Sequence, residues 1–125
     1  MSDESTPNAT AYELVMYSRT YGCPYVTIAK RVLQDYDIPY REIFIDLDAH
    51  AKERVLTWTG FLSVPTLIIA EQGKNVPYTD FDDLPQGASP NGIDRGPMIT
   101  EARANQLEAW LRKNNFISSV SDSVN

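Results

Sequence analysis

The chain has 125 residues, of which 42% are hydrophobic and 22% are charged, a composition typical of one globular domain. Its formal net charge of -6 and its pI of about 4.6 disfavour binding to nucleic acids or anionic membranes, because no basic patch interrupts the acidic average. No apolar run reaches the roughly 20 residues that a membrane-spanning helix needs, and the acidic N-terminus is unlike a signal peptide. We therefore expect a cytoplasmic protein with no nucleic-acid or membrane partner.

The first half of the sequence alternates between strand and helix patterns. Residues 1–11 are polar and aperiodic, which predicts a disordered tail. The run ELVMYS predicts the first strand, and Pro24 begins a helix that extends to about residue 36. The alternating segment YREIFID predicts a second strand. Asp48 as N-cap and Gly60 as C-terminal stop then frame a second helix.

The second half of the sequence predicts two further strands and a last helix. The apolar run TLIIA predicts a buried third strand, and NVPY predicts a short fourth strand. Residues 79–98 lack any period and predict a long loop, which in a compact domain is commonly functional or disordered. Thr100 is predicted to cap a helix across EARANQLEAWLRKNN, and residues 117–125 are predicted to form a flexible tail. The predicted domain therefore spans residues 12–116.

Cys23 is the only cysteine of the chain, so it cannot form an internal disulfide. It lies between the first strand and the first helix, where backbone N–H groups at a helix start stabilise a thiolate. Gly22 and Pro24 favour an open helix start over the other interpretation of a lone thiol, a buried and inert side chain. We therefore predict that Cys23 is a nucleophile. One cysteine and one histidine, His50, cannot assemble an ordinary zinc site, so no metal ligand is predicted.

Three segments together resemble the glutaredoxin branch of the thioredoxin-like superfamily. They are VMYSRTYGCPYV, IPYREIFIDLD and TGFLSVPTLII, and they extend over about residues 13 to 70. CPYV followed by a helix is also similar to the N-terminal domain of cysteine-type glutathione transferases, and Gly60-Phe61 is similar to the redoxins that serve ribonucleotide reductase. The resemblance implies an α/β thioredoxin-like fold, with a central mixed four-stranded sheet flanked by helices and a long loop before the last helix.

The resemblance also implies a glutathione site around a catalytic Cys23. Pro65 of the Val-Pro pair would be cis and lie beside the cysteine, and Val64 would offer its backbone to the cysteinyl part of glutathione. Arg19 would pair with a glutathione carboxylate, and Tyr25 would flank the groove. A solvated loop arginine and a tyrosine that covers the helix start are the other interpretations of these two side chains.

The family completes this site after the fourth strand with a Gly-Gly pair followed by acidic residues. YTDFDDL stands at the corresponding place here, so Asp82 and Asp83 are predicted to receive the glutathione ammonium. Thr79 and Asp80 replace the two glycines, which argues against a close approach of the backbone. Exposed loop aspartates without a role are the alternative interpretation.

Val26 stands where dithiol relatives have a second cysteine. The resemblance therefore implies a glutathione-linked monothiol oxidoreductase that removes glutathione from mixed disulfides. Its partners would be glutathione or another low-molecular-weight thiol, together with glutathionylated proteins. One alternative is an iron–sulfur cluster carrier, which is disfavoured because the family members best known for it carry a smaller Gly-Phe-Ser sequence after the cysteine. The other is a non-catalytic redox fold whose long loop binds or regulates a partner.

Overall fold

The computed structural model describes residues 11–117, which form a mixed sheet with helices. The strands are β1 (Tyr12–Ser18), β2 (Arg41–Phe44), β3 (Thr66–Glu71) and β4 (Met98–Thr100). The helices are α1 (Pro24–Asp35), α2 (Ala49–Thr59) and α3 (Ala104–Lys113). The strand order is β2-β1-β3-β4, with β1 parallel to β2 and antiparallel to β3, and β3 antiparallel to β4. This arrangement is the α/β thioredoxin-like fold that the sequence implies.

The centre of the sheet is covered on both faces. Residues 14–18 of β1 and 66–70 of β3 are buried without interruption, although successive side chains of a strand point to opposite faces. α1 packs against α3, and α2 packs against β2. Trp110 of α3 and Leu14 of β1 are fully buried in this core. The ends of the central strands therefore hold the loops of the candidate site on a rigid base.

The predicted ends of α2 are confirmed. The Asp48 side chain accepts hydrogen bonds from the backbone N–H groups of His50 (3.0 Å) and Ala51 (3.1 Å), as an N-cap does. Gly60 ends the helix with φ of 80°, a left-handed conformation that glycine adopts without a steric cost. The loop that leads to Pro65 therefore begins at a defined backbone position, Gly60.

The predicted fourth strand is wrong. The segment NVPY forms no strand, and the edge of β3 pairs instead with Met98–Thr100. Pro77 has no N–H group to donate to a neighbouring strand, which weakens NVPY as a pairing partner. The long loop therefore covers residues 72–97 and lies before β4, whereas the sequence placed it at 79–98, after the fourth strand.

The last helix also begins later than predicted. Thr100 does not cap it, because Thr100 belongs to β4 and its hydroxyl lies 3.0 Å from the hydroxyl of Thr66 in a buried pair. α3 begins at Ala104, and the side-chain oxygen of Gln106 accepts a hydrogen bond (2.8 Å) from the backbone N–H of Arg103. The turn between β4 and α3 therefore spans residues 101–103.

The predicted domain boundaries, residues 12–116, stay a prediction, and the residues at both ends of the described range contact the sheet or the core. The carbonyl of Ala11 accepts a hydrogen bond (3.1 Å) from the backbone N–H of Gln72, and Ile117 is buried in the core. The rest of the two predicted tails, residues 1–10 and 118–125, lies outside the described residues.

Candidate functional site

Cys23 lies at the N-cap position of α1, directly after the loop that leaves β1. Its backbone is extended, and its carbonyl accepts hydrogen bonds from the N–H groups of Val26 (3.1 Å) and Thr27 (3.2 Å). Pro24 occupies the first position of the helix, where no N–H group is needed. The predicted helix start at the cysteine is therefore confirmed, and the residue is partly exposed rather than enclosed in the core.

The thiol of Cys23 faces the Val64-Pro65 turn. Its Sγ atom lies 3.5 Å from the Val64 carbonyl oxygen, to which the S–H group donates. The Val64-Pro65 peptide bond is cis, as predicted, and Val64 is almost fully buried. The side chain of Cys23 accepts no hydrogen bond from the first N–H groups of α1 in this arrangement. A thiolate cannot donate to Val64, so ionisation would free the sulfur to turn towards the helix.

Arg19 lies on the rim of the same loop. Its guanidinium stacks over the ring of Tyr21 at 4.5 Å from the ring centre, and its Nη2 donates to the Gly22 carbonyl (3.3 Å). Its Nε is buried and has no hydrogen-bond partner among residues 11–117. The predicted pairing of this guanidinium with a glutathione carboxylate stays a prediction.

Thr20 holds the loop that carries Arg19 and Cys23. The Thr20 hydroxyl donates to the Asp46 carboxylate, and the Thr20 N–H donates to Asp46 Oδ1 (3.1 Å). The hydrogen bond from the Thr20 hydroxyl is the main reason that the pKa of Asp46 is lowered, and the bond from the Thr20 N–H lowers this pKa further. The loop is therefore fastened to the chain segment just after β2.

The two residues after Pro24 have different surroundings. Tyr25 is partly exposed in the first turn of α1, and its predicted place beside the glutathione groove stays a prediction. Val26 is only 7% exposed and belongs to the hydrophobic core. The position that carries a resolving cysteine in dithiol relatives here contributes to packing instead.

Asp82 and Asp83 lie in the long loop before β4, so their predicted place after the fourth strand is wrong. Their charges act on Arg95, whose side chain is 3% exposed. Arg95 donates from Nε to the Asp82 carbonyl (2.8 Å) and from Nη1 to the Trp58 carbonyl (2.7 Å). Burial lowers the pKa of Arg95, and the two aspartates raise it. A contact of Asp82 or Asp83 with glutathione stays a prediction.

Glu101 is a site residue that the sequence analysis missed. It follows β4, and its backbone N–H donates to the Pro65 carbonyl (2.9 Å). Burial raises the pKa of its half-buried carboxyl, while the Asn91 side chain and the charge of Arg19 lower it. The misplaced fourth strand hid this residue, because only the true β4 shows which residue follows it.

A cavity of about 880 Å³ lies at the opposite end of the sheet, lined by residues such as Tyr12, Tyr36 and Phe116. None of the predicted site residues lines it. Within residues 11–117, no group of three or more His, Cys, Asp or Glu side chains is placed to hold a metal ion. No helix in that range is long and apolar enough to cross a membrane.

Comparisons with known proteins indicate one family. The family model described as Glutaredoxin matches residues 14–80. Glutaredoxin-C4, chloroplastic, of Oryza sativa subsp. japonica is 29% identical over 105 residues, which cover 82% of this chain and 74% of the relative. The glutaredoxin of Ricinus communis is 29% identical over 94 residues, which cover 73% of this chain and 85% of the relative.

Two solved structures align with about half of this chain. The buckwheat glutaredoxin–glutathione complex aligns with a TM-score of 0.39 and 25% identity, over 52% of this chain and 61% of that chain. The holo form of glutaredoxin C1 from Populus tremula x tremuloides aligns with a TM-score of 0.38 and 24% identity, over 52% of this chain and 66% of that chain. Because the family model matches more than half of the 125 residues, this chain belongs to the glutaredoxin family of oxidoreductases.

Proposed function

We propose that this protein is a glutathione-linked monothiol oxidoreductase that removes glutathione from mixed disulfides on other proteins. One observation carries the proposal. The only thiol of the chain is partly exposed at the start of α1, with its sulfur 3.5 Å from the Val64 carbonyl beside the cis Pro65. A nucleophile in that place can be approached by a disulfide from outside the core.

The reaction needs one cysteine and two thiol–disulfide exchanges. The Cys23 thiolate attacks the glutathionyl sulfur, the new disulfide joins Cys23 to glutathione, and the substrate protein leaves as a thiolate that takes a proton from water. A second glutathione thiolate then attacks the glutathionyl sulfur on Cys23. This step releases oxidised glutathione and restores the Cys23 thiolate. The mixed disulfide is therefore reduced at the expense of one free glutathione thiol, and the other half of the oxidised glutathione comes from the substrate.

The neighbouring groups have separate roles in this proposal. The backbone of Val64 lies next to the sulfur and would align the cysteinyl part of glutathione. The guanidinium of Arg19, on the rim of the same loop, would pair with a glutathione carboxylate. Tyr25 and the pair Asp82 and Asp83 are retained as glutathione contacts on the family pattern alone. Val26 keeps the reaction on the monothiol route, because it offers no second thiol to release the glutathione.

Replacement of the nucleophile tests the proposal. Wild type and Cys23→Ser are compared for formation of oxidised glutathione from a glutathionylated peptide and glutathione. We expect Cys23→Ser to fall to the uncatalysed rate, because a serine hydroxyl does not carry out thiol–disulfide exchange. Thr57→Ser, an exposed change of similar size on α2, is the control and should leave the rate unchanged.

Turnover that survives in a folded Cys23→Ser protein contradicts the proposal. Absence of turnover in the wild type contradicts it as well, and would leave the non-catalytic binding domain in its place. A cluster-carrying protein would instead show brown colour and visible absorbance after anaerobic purification. The free thiol also suits a reducing compartment, so we propose a cytoplasmic location, which fractionation of the cells that express the protein would test.

A further inference from the structure

The cavity at the end of the sheet opposite Cys23 has a strongly aromatic lining. Its volume of about 880 Å³ lies within the roughly 300–1,000 Å³ that small-molecule sites occupy. Five aromatic side chains line it: Tyr12, Tyr36, Tyr40, Tyr78 and Phe116. None of the five is fully buried, so their rings keep surface that a ligand would cover. The cavity is therefore large enough for a small molecule and offers it aromatic surface.

Two of these rings stand at an angle to each other. The ring centres of Tyr12 and Tyr78 are 4.7 Å apart and the ring planes are inclined by 52°, so the two faces do not cover one another as in a parallel stack. Three buried aliphatic residues of the core, Leu14, Ile38 and Ile69, also line the cavity. The lining thus combines partly exposed aromatic rings with a buried aliphatic part.

The two basic residues of the lining already have acidic partners. Arg41 donates from Nε to the Glu13 carboxylate (2.9 Å) and from Nη1 to the Asn75 side chain (2.9 Å). Lys113 Nζ lies 2.7 Å from the Asp94 carboxylate. An anionic ligand would have to compete with these carboxylates for both cations, so the lining disfavours an anion.

The remaining charge of the lining is negative. Asp37 also lines the cavity, and its carboxylate has no ion-pair partner within residues 11–117. The C-cap residues of α1 and α3, Tyr36 and Asn114, are both part of the lining, and a helix C-terminus carries partial negative charge. The whole chain has a formal net charge of -6. The cavity is therefore suited to a positively charged ligand.

We propose that this cavity binds an organic cation, namely a quaternary ammonium group carried on a small molecule or on a methylated lysine side chain. Aromatic faces attract such a cation electrostatically. Its methyl groups also pack against the aliphatic part of the lining, whereas a primary ammonium is strongly hydrated and would lose its water there. Cys23 does not line the cavity, so the inference goes beyond the proposed function and does not depend on it.

Choline and its neutral isostere 3,3-dimethyl-1-butanol test the class of ligand, because they have nearly the same shape and differ in charge. Each is titrated into the full chain, and binding is followed by the backbone amide signals in NMR spectra. We expect choline to bind about tenfold more tightly or better, and residues 36–41 and 113–116 to shift while residues 19–23 do not. Equal affinity for the two molecules, or shifts around Cys23 instead of the cavity, would overturn the proposal.

Single aromatic variants locate the site. Tyr36 and Tyr78 are 38% and 42% exposed, so Tyr36→Leu and Tyr78→Leu remove a ring without opening the core. Each should weaken choline binding by about threefold, because one ring that attracts the cation is lost. Tyr21→Leu is the matched control, since Tyr21 is 62% exposed in the loop before Cys23 and does not line the cavity. Choline affinity that holds in both cavity variants, or that falls equally in Tyr21→Leu, contradicts the assignment.

Asp37→Asn tests the charge of the lining. Asp37 has φ of 56°, and asparagine tolerates this left-handed conformation as aspartate does, so the backbone should be kept. Choline should bind about threefold more weakly, while the affinity for 3,3-dimethyl-1-butanol should not change. Asp35→Asn, an exposed change at the end of α1 outside the lining, is the control. If choline affinity does not fall in Asp37→Asn, or falls as much in Asp35→Asn, the charge argument is wrong.

A last comparison distinguishes the two sources of the ammonium group. The titration is repeated with a short peptide that carries trimethyllysine and with its unmethylated copy. Tighter binding of choline assigns the cavity to a free quaternary ammonium compound, and tighter binding of the methylated peptide assigns it to a methylated protein. Equal binding of the two peptides, together with no binding of choline, overturns the site. Cys23→Ser should bind choline as the wild type does, so failure of the cation site leaves the oxidoreductase standing, and the reverse holds too.

Discussion

The turn that carries Cys23 and the long loop at residues 72–97 both reach the candidate site, but the chain holds them by different means. The cysteine turn is fixed by neighbours in sequence: Pro24 starts α1, and the Cys23 carbonyl accepts the first bonds of that helix. The long loop has no helix or named strand of its own, and it is fixed by side chains far along the chain.

Arg95 is the main example of such a distant contact. Its guanidinium joins Asp82, 13 residues away, to Trp58, 37 residues away. It also stacks over Phe81, which in turn meets the ring of Trp58 edge-on. The comparison teaches that a short motif can position the nucleophile, whereas the long loop depends on a buried cation and its partners.

Removal of the Arg95 cation should have the largest effect on how firmly the long loop is held. Arg95→Met keeps the length of the side chain but leaves the Asp82 and Trp58 carbonyls without their donor. Each lost bond to a charged group is worth about 1.5 to 3 kcal/mol, so we expect the free energy of unfolding to fall by about 3 kcal/mol. Urea unfolding measures this change, and hydrogen exchange should show faster exchange in residues 79–97 than in α1.

The control for this variant is Arg31→Met, which removes an exposed arginine from α1. It should change the free energy of unfolding by less than about 0.5 kcal/mol. Equal losses in the two variants, or exchange that rises as much in α1 as in the loop, would show that Arg95 does not hold the loop specifically.

The same difference explains what the sequence could predict. The cis Val64-Pro65 bond is implied by the resemblance to the glutaredoxin family, and the structure has it. The helix start at Cys23 and the caps of α2 follow from a few adjacent residues, and the structure has both. Such features depend on local backbone preferences and on proline, which a sequence shows directly.

The edge strand β4 and the way the long loop meets it could not be predicted in the same way. β4 has only three residues, and its pairing with β3 is decided by the return of the loop rather than by its own pattern. Asn91 and Glu101 become neighbours through that return. The aperiodic stretch before β4 gives no sign of this return, and the sequence analysis therefore places Asp82 and Asp83 after a fourth strand that the structure does not form.

Gly92 offers a more local test of how the long loop packs against β4 and α3. Gly92 has φ of 73°, and a Cβ atom built there would lie 2.5 Å from Oε1 of Gln106. Gln106 also accepts the N–H of Arg103 at the start of α3, so moving it away costs a hydrogen bond. We expect Gly92→Ala to lower the free energy of unfolding by about 2 kcal/mol, measured in urea.

Gly87 provides the matched control, because its φ is 78° and a Cβ atom there meets nothing within 4 Å. Gly87→Ala should therefore cost only the conformational part, about 1 kcal/mol. If both variants lose the same stability, the contact with Gln106 does not matter.

The smallest expected effect concerns the other end of the loop, where an ion pair holds residues 73–75. Arg41 Nε donates to the Glu13 carboxylate (2.9 Å), which also accepts the N–H of Gly73 (2.8 Å), and Arg41 Nη2 donates to the Lys74 carbonyl (2.6 Å). The hydrogen bond from Arg41 is the main reason that the pKa of Glu13 lies below its ordinary value of 4.5. Both side chains are partly exposed, which limits the strength of the pair.

A lowered pKa in the folded state means that the ionised Glu13 stabilises the fold above pH 4.5. This contribution is lost as the pH falls through the lower, folded-state pKa. We expect Glu13→Gln to reduce the free energy of unfolding by about 0.5 to 1 kcal/mol at neutral pH, and the gap from wild type to shrink in acid. Urea unfolding across that pH range measures the gap, with Glu71→Gln, an exposed change at the end of β3, as the control. A gap that does not depend on pH would mean that Glu13 acts through packing, and the loop would then be held by charge at Arg95 alone.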